Sequence, residues 1–277
     1  MTPVEKAVWY IESHFAEDIG LDDVALVSGV SRFHLSRAFG LATGRPVMRY
    51  LRGRRLSEAA RRLADGAPDI LSVALDAGYG SHEAFTRAFR DQFGATPDAV
   101  RTAGDLSSLS LVEPHRMDDS TFIDLTPPRF VEGDGLLLAG LNERYDPETS
   151  RSIPALWQRF LPWFGQVPGQ VGHVGYGVIH NGDGAGSFDY LAGVEVREFA
   201  DLPGELARLR LAPQRYAVFH QPAHISTVRS TCYTIWNKWL PESGRQVADA
   251  PEFERYPESF DGRTGEGGYE IWVPLRP

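Results

Sequence analysis

The sequence predicts two domains. The first is an all-α double helix-turn-helix domain over residues 1–101. After a linker at 102–121, an α+β domain of two β-α-β-β repeats with pseudo-twofold symmetry fills residues 122–277. Three observations lead there. Val24 to Pro46 recurs as Val73 to Pro97, at an offset of 49 residues before the turn and 50 after it. Such an internal duplication marks a repeated supersecondary unit. Beyond residue 121 the helical pattern gives way to aromatics, glycines and alternation of period two, the signature of strands. Within that half the helices align at an offset of 79, with Trp157, Leu161, Pro162 and Gly165 falling on Trp236, Leu240, Pro241 and Gly244.

The elements follow in order. Pro3 to Phe15 reads as an amphipathic helix, with Val4, Ala7, Val8, Ile11 and Phe15 on one face. Each repeated unit reads as helix, turn, helix. In the first, Leu21 to Ser28 is the supporting helix, Gly29 supplies the turn, Ser31 is suited to the N-cap, and Ser31 to Ala42 is the second helix. In the second, Ile70 to Ala77 and Ser81 to Phe93 take the same places. Val47 to Ala64 is a long helix between the units, and Pro97 to Arg101 starts a short closing one. The second helix of such a unit enters the major groove of DNA, and its N-terminal residues reach base edges. On this reading the DNA-binding candidates are Arg32, Phe33, Ser36 and Arg37 in the first unit. By alignment, Thr86 and Arg87 join them in the second. Arg37 suits either a guanine or a phosphate, and Phe33 either a thymine methyl or packing on the supporting helix.

The runs S-R-F-H-L-S-R-A-F…T-G-R-P and G-Y-G-S-H-E-A-F-T-R-A-F-R-D-Q-F-G-A-T-P resemble the two helix-turn-helix halves of the AraC/XylS family of transcription regulators. Val47 to Ala64 resembles the helix that joins them there. The resemblance covers about residues 3–101 and implies a regulator that binds double-stranded DNA. His82 and Glu83 depart from it, because many members carry small polar residues at this point. A carboxylate there meets phosphate oxygens unless it accepts from a cytosine amine. The second unit is therefore expected to touch DNA more weakly than the first.

Charge supports a division of labour. Residues 1–101 hold 13 Lys or Arg and 13 Asp or Glu, whereas residues 102–277 hold 15 and 24, so the whole net charge of −9 lies in the second half. Arg45, Arg49, Arg52, Arg54, Arg55, Arg61 and Arg62 crowd on or just before the long helix and offer a phosphate-facing surface. The single cysteine, Cys232, cannot form an intrachain disulfide, and no apolar run is long enough for a bilayer. A cytoplasmic protein with no membrane partner is expected. No metal-ligand constellation and no phosphate-cradling loop stands out, so no metal or cofactor is expected.

In the second half, strands are expected at Phe122–Leu125, Gly135–Leu141, Val171–His180, Phe188–Val196, Gln214–His220, Phe253–Tyr256 and Gly268–Pro274. Helices are expected at Ile153–Phe164 and Ser226–Leu240. This order, with the run I-W-N-K-W-L-P-E-S-G…F-E-R-Y…G-Y-E-I-W-V-P-L, resembles the GyrI-like effector-binding domain found behind several bacterial DNA-binding modules. The resemblance implies a cleft between the repeats, walled by aromatics, with a carboxylate that recognises cationic, partly apolar small molecules. It assigns that carboxylate to Glu270, with Glu195 as its weaker internal counterpart. An ion pair with an Arg of the same sheet, or a solvated strand face, is the alternative for Glu270. Aromatic faces attract organic cations by roughly 0.5–2 kcal/mol each, which makes Tyr176, Trp157, Phe219, Tyr233, Trp236 and Trp239 ligand candidates. Tyr176 and Trp236 come first among them.

The reading is a DNA-binding regulator whose small-molecule effector biases DNA affinity or contacts with RNA polymerase. A second reading makes the rear domain a hydrolase using Glu270 and Tyr176 as base and proton donor. A third makes it a protein-binding module.

Overall fold

The computed structural model describes residues 1–116 and 119–277. Among them, residues 3–32 and 46–116 form one compact unit, and residues 33–45 and 119–277 form the second. The cut passes through the first helix-turn-helix.

The first unit contains α1 (Pro3–His14) and α2 (Leu21–Ser28). Then α3 (Arg32–Thr43) begins in it, but from Phe33 onward belongs to the second unit. It continues with α4 (Val47–Ala64), α5 (Ile70–Asp76), α6 (His82–Phe93) and α7 (Pro97–Ala103). The turns have the chemistry that the repeat requires. Gly29 and Gly78 take φ of 73° and 81°, a region that costs a side-chain-bearing residue energy. Ser81 caps α6 by accepting from Ala84 N at 3.2 Å, and Asp69 caps α5 through Leu71 N and Ser72 N. Leu56, Ala60 and Leu63 of α4 are buried with Phe85 and Phe89 of α6 in one core.

The segment that follows α7 departs from expectation. Leu106, Leu109 and Leu111 pack on that same core. Val112 is buried; its N–H donates to Ser57 Oγ and its carbonyl accepts from Arg54, each at 2.8 Å. A stretch that reads as a polar linker is thus docked on α4 through its alternating leucines.

The second unit is built on one eight-stranded antiparallel sheet with helices beside it. Its strands are β1 (Arg129–Gly133), β2 (Leu136–Tyr145), β3 (Gln170–His180), β4 (Phe188–Val196), β5 (Ala207–Leu211), β6 (Gln214–Gln221), β7 (Glu252–Tyr256) and β8 (Tyr269–Pro274). They lie in the order β1-β6-β8-β7-β3-β4-β2-β5. Exchanging β1–β4 with β5–β8 reverses that order onto itself, which is the expected pseudo-twofold symmetry. The helices are α8 (Ile153–Phe160), α9 (Val228–Thr234) and α10 (Leu240–Ser243), and a π-helical turn at Ile235–Trp239 joins the last two.

Three strands differ from expectation. Phe122–Leu125 is not a strand. Pro127 and Pro128 follow it, and proline cannot donate to a ladder. Phe122 instead stacks on Tyr233 at 5.1 Å, and Ile123 N donates to Thr234 Oγ1. The outer strands β1 and β5 were not anticipated; both are short and half exposed, so their alternation is weak. Packing on the two sheet faces is distinct. Ala139, Tyr190, Ala192 and Val194 gather with Leu156 and Phe160 of α8. Leu138, Tyr176, Val178, Tyr216 and Phe253 form a separate cluster.

Candidate functional site

Strand β7 organises the site. Side chains alternate along a strand, so Glu252, Glu254 and Tyr256 share one face while Phe253 and Arg255 share the other. Glu254 and Tyr256 line a cavity of about 1030 Å³ within the second unit. Its walls include Trp157 of α8, Phe164 beyond it, Phe188 and Tyr190 of β4, and Phe260.

Glu254 is held by aromatic hydroxyls. Tyr190 donates to its Oε2 at 2.6 Å and Tyr256 at 2.8 Å, while Trp157 Nε1 donates to the Tyr190 hydroxyl at 3.0 Å. Burial raises the Glu254 carboxyl above its ordinary pKa, opposed by the bonds from Tyr190 and Tyr256 and by the charge of Arg37. Burial likewise pushes Tyr190 and Tyr256 well above 10, so both remain protonated donors. Gly177, directly across from Glu254 on β3, makes room for this cluster. A Cβ there would lie 2.0 Å from the Tyr190 hydroxyl and 2.6 Å from Glu254 Oε2.

The expected carboxylate lies elsewhere. Glu270 is outside the cavity lining, because its position on β8 turns it to the face of Arg255. It accepts from Arg129 at 2.8 Å, from Trp272 Nε1 at 3.0 Å and from Arg255 at 3.3 Å. Burial raises its carboxyl, but these three donors outweigh burial and leave it below the usual carboxylate range. The ion pair within the sheet, weighed as the alternative, is what the geometry gives. Tyr176 lies in the cluster of Tyr216 and Phe253, and its hydroxyl is 3.5 Å from Glu195. Neither Tyr176 nor Glu270 lines this cavity; Arg255 on β7 is the cross-strand neighbour of both.

Of the aromatic ligand candidates, Trp157 alone lines the cavity. Trp236 is buried in the π-helical turn against Phe33 and His34. Phe219 is buried edge-on to Trp239, and Tyr233 against Phe122. All are core residues, as aromatics at helical spacing or inside a strand commonly are. Sequence reasoning missed Glu254, Tyr190 and Tyr256. The run F-E-R-Y carried the signal, since Glu254 and Tyr256 two apart on a strand must share a face.

The DNA-binding candidates divide as well. Arg32 is exposed and paired with Asp22. Phe33 and Ser36 were expected to be exposed, yet Phe33 is half-buried, Ser36 is buried, and both line the cavity together with Arg37. Ser36 donates to the Gly184 carbonyl, and Arg37 is ion-paired with Glu252. In α6, Arg87 is exposed, while the Thr86 hydroxyl is buried with no hydrogen-bond partner. His82 and Glu83 are exposed.

Paired helix-turn-helix motifs, followed in the chain by a symmetric antiparallel sheet with a cavity, are the architecture of a DNA-binding regulator with a small-molecule-binding domain. Comparison with known proteins gives the family. A GyrI-like small molecule binding domain matches residues 126–276, and a helix-turn-helix domain matches residues 24–103. The chain belongs to the GyrI-like small molecule binding domain family and carries an AraC-type helix-turn-helix domain in front of it. It is similar to the transcriptional regulator Rob of Salmonella typhimurium, at 27% identity over 288 residues, covering 97% of this chain and 96% of Rob. It is also similar to the right origin-binding protein of Escherichia coli, at 35% identity over 138 residues, covering 50% of this chain and 46% of that one. Among solved structures, SAV2435 bound to tetraphenylphosphonium matches with a TM-score of 0.47 and 20% identity, covering 55% of this chain and 94% of that one. The protein is a DNA-binding transcription regulator with a small-molecule-binding domain. Among the described residues, no helix is long and apolar enough to cross a membrane.

Proposed function

We propose that the effector is a partly apolar organic cation, bound in the cavity of the second unit with its charge at Glu254. The buried carboxylate among aromatic rings is the observation that carries this reading. Taking a carboxylate out of water costs several kcal/mol. Hydrogen bonds to a charged group return about 1.5–3 kcal/mol each, so Tyr190 and Tyr256 offset much of that cost. Trp157, Phe164 and Phe188 supply faces for a delocalised cation. A small, strongly hydrated cation gains little here, because it loses its water without matching oxygen ligands.

The effector would in turn set how strongly the helix-turn-helix domain holds double-stranded DNA or contacts RNA polymerase. Arg32, Phe33, Ser36 and Arg37 would address the major groove, and Thr86 and Arg87 the neighbouring turn. Calorimetric titration with tetraphenylphosphonium tests the cation site. Wild type should bind, and Glu254→Gln should lose at least tenfold in affinity, about 1.4 kcal/mol. Equal affinity of the two proteins removes Glu254 from the site.

A further inference from the structure

Arg37 is a feature of the cavity wall that the cation reading does not absorb. It comes from α3, the helix expected to read DNA, yet its guanidinium is seated among the groups that would receive an organic cation. It is ion-paired with Glu252, which is only 3% exposed. It lies 5.9 Å from the centre of the Phe188 ring. Glu252 and Glu254 occupy the same face of β7, about 7 Å apart by strand geometry, and both charges act on Arg37. A carboxylate pair, an aromatic face and a buried cation together make an occupied cation site, in which the occupant is part of the chain.

The seat is imperfect. Glu252 Oε2 and Arg37 Nε are both buried with no hydrogen-bond partner. A bidentate arginine–carboxylate pair would satisfy both atoms, so this contact leaves part of each charge unmatched. The rest of the docking combines polar and aromatic contacts. Ser36 donates to the Gly184 carbonyl, and Asn237 Nδ2 in the π-helical turn donates to the Ala38 carbonyl at 3.3 Å. Phe33 fills the space over Gly182 and meets Trp236 edge-on at 6.0 Å. Phe33, Ser36 and Arg37 are thereby all committed to the cavity, and none is available to a base edge.

We propose that Arg37 is a tethered stand-in for the effector's cation, so that an organic cation and the docked recognition helix compete for the Glu252–Glu254 carboxylates. Effector binding then releases Phe33, Ser36 and Arg37 for DNA, and the effector acts as an activator of DNA binding. This rests on the cation reading of the cavity. Two sites in competition for one seat are coupled in both directions: DNA that captures α3 raises affinity for the cation by the same factor.

The test needs no operator sequence. Tetraphenylphosphonium is titrated into the full chain and into Arg37→Gln, and amide hydrogen exchange is followed at residues 33–45 of wild type with and without the cation. Removing an internal competitor should tighten cation binding about tenfold in Arg37→Gln, since apparent affinity scales with the open fraction. In wild type, saturating cation should speed exchange in residues 33–45. Should Arg37→Gln not fold, the exchange measurement on wild type stands alone. Cation binding with unchanged exchange at 33–45 and equal affinity for the two proteins overturns the competition while leaving the cation site standing. Slower exchange at 33–45 also overturns it, because the effector would then fasten the helix. No cation binding by either protein removes the cation site and the competition with it.

Discussion

The hydroxyl of Tyr190 donates to Glu254 Oε2 at 2.6 Å and itself accepts from Trp157 Nε1 at 3.0 Å. This relay joins β4, β7 and α8 at the base of the cavity, and it makes the carboxylate's ionisation depend on a residue distant in sequence. Tyr190→Phe removes one hydrogen bond to a charged group, about 1.5–3 kcal/mol, and leaves Tyr256 as the remaining hydroxyl donor. Cation affinity at pH 7 should fall roughly tenfold, and the fall should shrink as pH rises. Titration of tetraphenylphosphonium at pH 7 and pH 9 reads both effects.

Proton release on cation binding follows from the same carboxyl. Burial raises the Glu254 pKa above its ordinary value, so the free protein holds this proton to higher pH than an ordinary carboxylate does. A bound cation favours the ionised form and expels it. Affinity should therefore rise with pH up to the raised value of the free protein and level off above it. Calorimetry in two buffers of different ionisation enthalpy measures the released protons, and Glu254→Gln should release none.

Glu270 offers the converse. It is fastened to Arg129, Arg255 and Trp272 on the other face of the sheet. Glu270→Gln should leave cation affinity within about twofold while lowering stability by roughly 1 kcal/mol, discounted because Arg129 is half exposed. Urea unfolding beside a cation titration separates the two roles. A large loss of affinity with stability intact would return Glu270 to the binding site.

What could be read from the sequence has a physical boundary. Local signals were legible: the turn glycine at 29 with its aligned partner at 78, both of which take positive φ, and the repeat behind the two-fold strand order. The carboxylate that lines the cavity was not, because Glu270 and Glu254 are both carboxylates on inner strands and only registry decides which face each occupies. The Phe253–Trp272 stack at 5.0 Å turns β8 so that Glu270 shares the face of Arg255. The docking of α3 was less legible still. Phe33, Ser36 and Arg37 carry the chemistry for a DNA groove and for an acidic aromatic cavity equally well. The leucines at 106, 109 and 111 looked like linker residues because their partners on α4 are some fifty residues away.

On DNA the two recognition helices should behave unequally. Arg87 is exposed on α6, whereas Arg37 is held by Glu252. If Arg87 meets phosphate, Arg87→Ala should weaken binding to a random-sequence duplex and reduce the slope of log affinity against log salt by about one. A loss confined to particular sequences, with the slope unchanged, would assign it to a base. Fluorescence anisotropy over a salt series distinguishes these outcomes.

His34 gives the fold an acid sensitivity of defined sign. It is buried on α3 edge-on to Trp236 at 5.4 Å, and burial lowers its pKa to about 4 from an ordinary 6.5. Above pH 6.5 the ring is neutral in folded and unfolded chains alike, and it contributes no pH dependence. Between pH 6.5 and about 4 the unfolded chain takes up a proton that the folded chain refuses, so stability falls as pH falls. The span corresponds to at most about 3.5 kcal/mol, at roughly 1.4 kcal/mol per unit. Below about pH 4 both forms are protonated and the contribution levels off. Denaturant unfolding at pH 7.5, 6, 5 and 4.5 should show wild type losing stability faster than His34→Gln across that window. Parallel curves for the two proteins would mean that the ring gains solvent and its proton without unfolding, as it would if α3 left its seat.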